Sequence, residues 1–248
     1  MTALVLREDR EGVAWLKLNR PETLNALSPS LFVELRAHLE AIAGATDTVG
    51  CVVLQGSGRS FSAGNDLKAI QAGDRAPTPT FQAETIDFLE ALPQPVIASV
   101  HGYCYTGALE VVLGCDLVVA AESAQFADTH GRWSMTPTWG MSQRLPRRLG
   151  VSRAKMMMFT AAPVAAREAL SIGLADLVVG DEEREARTAD LARTMLGHSW
   201  HTLRADKRLV NEGQRYTLAE GLAYERRTSP GAGPDMAERL AAFGSKGR

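Results

Sequence analysis

CVVLQGSGRSFSAGNDLKAI, from Cys51 to Ile70, sets an apolar run before a turn of small residues and a helical pattern. Cys51–Leu54 reads as a buried strand, and FSAGND as a turn that lets the backbone approach something closely. VIASVHGYCYTGALEVVLGCDLVVAA, from Val96 to Ala121, repeats the plan of strand, small-residue turn and helix, then returns as a strand. A helix start presents unpaired N–H groups with partial positive charge. Two such N–H groups aimed at one point form an oxyanion hole. Simple tight packing of glycine turns is the other reading, and the residues alone leave both open.

The neighbouring segments extend the pattern. VLREDREGVAWLKLN reads as two strands joined around Glu11-Gly12. LSPSLFVELRAHLEAIAG reads as a helix with Ser28 as N-cap, Pro29 in its first turn and Gly44 closing it; Leu31, Leu35, Leu39 and Ile42 form its apolar face. DRAPTPT reads as an exposed loop, FQAETIDFLEAL as a helix, and AQFADTH as a strand. GMSQRLPRRLG reads as helical, with Pro146 kinking or ending it. Strands alternating with helices predict parallel βαβ units. From about Ser152 the pattern is mainly helical, so a boundary is expected near Gly150. It separates an α/β core (1–150) from a helical tail (151–248).

Composition narrows the function. A chain of 248 residues with 45% apolar and 23% charged residues suits one large globular domain or two small ones. A formal net charge of -2 argues against a general nucleic-acid binder. Cys51, Cys104 and Cys115 lie in apolar runs without a C-x-x-C pair and read as buried thiols, which fits a reducing cytoplasm. MTALVLREDREG lacks the pattern of a secretory signal, and no apolar run is long enough to span a membrane. His198 and His201 lack a nearby further ligand, so no metal site is expected there. GSGRSFSAG is not followed by G-K-[ST] and is no P-loop.

Glu110 stands out inside ALEVVLGCDLVVAA. A buried carboxylate is costly unless paired or hydrogen-bonded. It is either a structural group satisfied by backbone or a tuned acid/base.

FSAGNDLK followed by GYCYTGALEVVLGCDLVVAAESAQFA resembles the enoyl-CoA hydratase/isomerase (crotonase) superfamily. LNRPETLNALS, GMSQRLPRRLG, AREALSIGLADLVV and AAFGSKGR match further family signatures in the same order, so the resemblance covers nearly the whole chain. It implies an α/β spiral of ββα repeats with a C-terminal helical trimerisation region, assembled as a trimer or a dimer of trimers. It implies an acyl-CoA thioester as substrate, with no cofactor besides the substrate's own CoA. The thioester carbonyl would be polarised by the backbone N–H groups of Asn65 and Gly107, and Thr106, just before Gly107, is expected to contact the substrate. Ala63, Asp66 and Leu67 match positions that hold CoA through their backbone. Phe243 and Lys246 match a tail pattern that reaches the nucleotide end of CoA.

Two departures matter. Glu22 occupies the place of the family's early basic residue. The second catalytic glutamate of family hydratases is replaced by His130 in AQFADTH, while Glu110 fills the place of the first. Histidine can do acid/base work near neutrality, so one reading has Glu110 and His130 share a water, with Asp128 orienting His130 from the same side of a strand; the other is a satisfied histidine with no proton-transfer role. The expected activity is syn addition of water to a 2-enoyl-CoA, or its removal. A double-bond isomerase and an acyl-CoA-binding homologue without catalysis are the alternatives. In GRWSMTPTWGMSQRL, bulky Arg132, Trp133 and Trp139 either pack the core beneath the site or shape the acyl pocket.

Overall fold

The computed structural model describes residues 2–245. Its first elements are β1 (Val5–Arg10), β2 (Val13–Leu18), α1 (Pro29–Ala43), β3 (Cys51–Gly56), α2 (Leu67–Gln71) and α3 (Phe81–Glu90). Then come β4 (Val96–Val100), β5 (Tyr103–Tyr105), α4 (Gly107–Leu113), β6 (Leu117–Ala121), β7 (Gln125–Ala127), α5 (Met141–Leu149) and α6 (Val151–Thr160). β8 (Val164–Ala165), α7 (Ala166–Ser171), β9 (Leu177–Val179), α8 (Arg184–Leu196), α9 (Trp200–Gly213), α10 (Leu218–Thr228) and α11 (Met236–Ser245) complete it.

Local chemistry sets several boundaries. Glu11 and Gly12 both take positive φ and join β1 to β2 as a two-residue hairpin. Ser28 caps α1 by accepting from the N–H of Leu31 at 3.2 Å, and Pro29 follows where a missing N–H costs nothing. Leu31, Leu35, Leu39 and Ile42 are all buried, as the spacing predicts.

The strands form a six-stranded sheet in the order β1-β2-β3-β4-β6-β9 and a three-stranded sheet in the order β5-β7-β8. From β2 to β9 the larger sheet is parallel. Each turn of the chain adds to both sheets. After β3, Ser62 bridges to Cys104 of β5; after β4 comes β5; after β6 comes β7. This is the expected spiral of ββα units. Leu16, Leu18, Val52, Leu54, Ala98 and Val118 bury one face of the large sheet in the main core. Trp15, Cys51, Val53, Ile97 and Val119 bury the other, against Ala192 of α8. Burial is continuous along β3 and β4 while alternate residues enter opposite cores, as in a sheet covered on both sides.

Position 150 divides less than the composition shift suggests. β8 and β9 lie beyond it and extend both sheets, and α8 covers a sheet face that would otherwise expose Trp15 and Val53 to water. α9 is also tied to the core: Lys207 Nζ lies 2.8 Å from Asp116 Oδ2 and donates to the carbonyl of Gln94 at 3.0 Å. Exposed apolar residues gather further along the tail: Val210 on α9, Leu218 on α10, and Leu240 and Phe243 on α11. α5 also runs through Pro146 to Leu149 rather than ending there, and the carbonyl of Pro146 accepts from the N–H of Gly150 at 2.9 Å.

Candidate active site

The FSAGND turn is wired to the β4–α4 connection. Phe61 N–H donates to the carbonyl of His101 at 2.7 Å, Ser62 N–H to that of Tyr103 at 2.9 Å, and Tyr105 N–H to that of Ser62 at 3.3 Å. On its other side the turn is held by the N-terminal loop. Ala63 N–H donates to Leu24 at 2.9 Å, and Asp66 N–H to Leu27 at 3.1 Å. Gly64 N–H donates to Ser62 Oγ, and Leu67 N–H to the carbonyl of Asn65. Among the described residues, Asn65 is left as the one position between Phe61 and Leu67 whose backbone N–H has no protein acceptor. Gly107 opens α4, and its N–H is likewise unclaimed.

Two glycines allow this approach. Gly64 has φ +99, and a Cβ there would lie 2.6 Å from the carbonyl oxygen of Tyr105. A Cβ at Gly107 would lie 2.5 Å from the ring of Trp139. Gly64 thus lets the turn that carries the Asn65 N–H pack against the strand that leads into α4. The Oδ1 of Asn65 is also buried without a hydrogen-bond partner.

Glu110 lies one turn into α4 and is 1% exposed. Its Oε1 accepts from the backbone N–H groups of Trp139 and Met141, both at 3.0 Å. The second of these opens α5, so a helix N-terminus faces the carboxylate. Both donors are remote in sequence from Glu110. Burial pushes the Glu110 carboxyl above its ordinary range; the two N–H groups and His130 pull it back only in part.

Oε2 is free of these bonds and lies 3.8 Å from His130 Nε2. That gap is too long for a hydrogen bond, and one water with ordinary ~2.8 Å bonds would bridge it. His130 Nδ1 lies 2.6 Å from Asp128 Oδ1. A carboxylate can only accept, so Nδ1 carries the proton and Nε2 faces Glu110. Burial pulls the imidazole down, but the hydrogen bond and charge of Asp128, with the charge of Glu110, outweigh it and leave His130 above its ordinary value.

Asp128 does orient His130, but not from a shared strand face. β7 ends at Ala127, and His130 opens a 3₁₀ turn, His130–Trp133. The Asp128 carboxylate also accepts from the backbone N–H of His130 at 3.1 Å, so a local turn makes the contact.

The model of the family described as "Enoyl-CoA hydratase/isomerase" matches residues 8–243. The chain belongs to that family. A putative enoyl-CoA hydratase/isomerase of Bacillus subtilis is 34% identical over 244 residues, covering 96% of this chain and 94% of the relative. An enoyl-CoA hydratase of Bacillus anthracis superposes with a TM-score of 0.92 at 32% identity, covering 98% of this chain and 96% of that one. A monofunctional enoyl-CoA isomerase of M. smegmatis superposes with a TM-score of 0.77 at 34% identity, covering 89% and 98%.

The other residues expected from the family resemblance fall in different places. The Asp66 side chain is engaged within the chain: it caps α2 through Ala69 N–H at 2.9 Å and meets Arg20 Nη1 at 2.7 Å. Burial alone would raise its pKa, but these partners hold it below the usual range. Ala63 is half-buried and Leu67 exposed beside it. Thr106 is buried, and its hydroxyl is taken by Thr129. Phe243 is exposed on α11, and Lys246 lies outside the described residues. Trp139 packs edge-to-face on Phe32 at 5.1 Å and covers Gly107, whereas Trp133 is exposed and Arg132 donates to the carbonyl of Ala161. Of the three bulky residues, Trp139 is the one built into the site.

Proposed function

We propose that this family member hydrates a 2-enoyl-CoA thioester, with Glu110 and His130 holding the reacting water between them. The observation that carries the reading is the 3.8 Å separation of Glu110 Oε2 and His130 Nε2, each already oriented by other groups. In the addition direction Glu110 accepts a proton as the water oxygen attacks the β-carbon. Charge moves to the thioester oxygen, where the N–H groups of Asn65 and Gly107 receive it. The His130 imidazolium, favoured by Asp128, gives its proton to the α-carbon. Water and proton arrive from one side, which is syn addition. Transfer of the proton from Glu110 to His130 resets the pair. Only protons and water move, so CoA enters as part of the substrate and no separate cofactor takes part.

Following a short 2-enoyl-CoA spectroscopically tests this: loss of the conjugated thioester with formation of the 3-hydroxyacyl-CoA is expected. The isomerase reading draws on the replacement of a carboxylate by His130, since a single proton carrier suffices to move a double bond. Migration of the double bond without any hydration product would put that reading first. Binding of acyl-CoA with neither reaction would make the chain an acyl-CoA-binding homologue.

The donors can be tested separately. Gly107→Ala and Gly107→Pro both press atoms on Trp139, but only proline removes the N–H. In folded variants, turnover by the proline form should be lower than that of the alanine form by roughly 10²–10³-fold. Equal turnover would place the donor elsewhere.

Assembly belongs to the same reading. Leu218, Leu240 and Phe243 expose apolar surface on α10 and α11 that a trimer or a dimer of trimers would cover, bringing Phe243 to a neighbour's CoA site. Light scattering at micromolar concentration should give the mass of a trimer or hexamer; a monomer that binds CoA fully would remove this part. No helix among the described residues is long and apolar enough to cross a membrane. Three free buried cysteines support a reducing cytoplasmic setting.

A further inference from the structure

Thr106 is a β-branched residue at φ 54 and ψ −111, a region such side chains rarely occupy. Backbone of this kind persists where its surroundings over-determine it. Here they do. Thr106 N–H donates to the carbonyl of Ala127 at 2.7 Å. Its Oγ1 accepts from the N–H of Thr129 at 3.2 Å and shares a hydrogen bond with the Thr129 hydroxyl. Both threonines are buried. The residue after Thr106 is Gly107, with its free N–H. The residue after Thr129 is His130. One set of hydrogen bonds therefore joins the segments that carry the two groups.

We propose that Thr106 and Thr129 are positioning residues: their hydroxyl pair clamps the Gly107 N–H and the His130 imidazole into one rigid unit, and neither hydroxyl serves as a substrate contact. The catalytic consequence rests on the hydration reading above; the clamp itself does not. Asp128, between Ala127 and Thr129, lies inside the clamped segment, so its bond to His130 Nδ1 depends on the clamp for its geometry.

Thr129→Val and Thr106→Val each remove one hydroxyl at nearly constant volume, and Thr106→Ser and Thr129→Ser retain it. Nuclear magnetic resonance titration of the His130 imidazole needs no substrate. Each valine variant should bring its pKa down toward the ordinary ~6.5 as the Asp128 contact loosens, and the serine variants should keep the wild-type titration. With a short 2-enoyl-CoA, kcat of the valine variants should fall about 10- to 100-fold with KM nearly unchanged, the scale expected of a small misplacement. The double valine variant should be little worse than Thr106→Val, which already removes both the hydroxyl pair and the acceptor of the Thr129 N–H, whereas Thr129→Val removes the hydroxyl pair alone. Should Thr129→Val fail to fold, Thr129→Ala carries the same readouts. Folded variants that melt at lower temperature yet keep the wild-type titration and kcat would overturn the clamp. A wild type that turns over no enoyl-CoA would sink the hydration reading instead, while the titration would still decide the clamp.

Discussion

Glu110→Gln should lower turnover of a 2-enoyl-CoA by about 10²–10⁴-fold, the usual contribution of a general acid or base. Acyl-CoA affinity should change little. The substitution is nearly isosteric. The glutamine oxygen can still accept from the N–H groups of Trp139 and Met141, so the local fold has its partners. What disappears is the charge and the proton affinity of Oε2, the oxygen turned toward His130. Stability should hold or rise, because burial already disfavours the ionised carboxylate there. Steady-state kinetics beside a thermal melt and an acyl-CoA binding titration separate these effects. A folded Glu110→Gln protein with wild-type turnover would show Glu110 to be a structural carboxylate, the bland reading its sequence also allowed.

The residues that were legible in the sequence are those whose signals are local. Ser28 and Pro29 start α1 and Gly44 ends it, each through partners within a turn of itself, and the structure keeps those bounds. The small residues of FSAGND announced a close approach because only glycine tolerates φ +99 against the Tyr105 carbonyl. The partners of Glu110 were not legible. Trp139 and Met141 donate from 29 and 31 residues away, through backbone groups that every residue type possesses. The contact of Asp128 with His130 forms, but by a different geometry from the one their spacing suggests. Alternation along a strand would place both on one face, but β7 stops at Ala127 and a turn does the work. The division near Gly150 followed a change in composition. The uncovered sheet face that recruits α8 is a property of the assembled sheet, which no single segment displays.

His130→Ala should remove the alkaline limb of the pH–rate profile. The active pair holds one proton, on His130, with Glu110 ionised. Raising the pH strips that proton, so activity falls as pH rises through the imidazole's pKa. Asp128 and Glu110 raise that pKa, so the limb should lie above the ordinary ~6.5 rather than below it. Lowering the pH protonates Glu110 as well, and activity falls again. Burial raises that group, so the acid limb should lie above the ordinary carboxylate range. Because the groups are close, the two limbs belong to the pair as macroscopic values. Asp128→Asn tests the cause directly: with the carboxylate charge gone, the alkaline limb should move to lower pH while Glu110 remains in place. His130→Ala should lose about 10²–10⁴-fold in kcat and show no limb near neutrality. A His130→Ala enzyme that retains full turnover and the wild-type profile would leave Glu110 as a lone proton carrier. Hydration across two groups would then give way to proton shuttling by one, which is the chemistry of a double-bond isomerase.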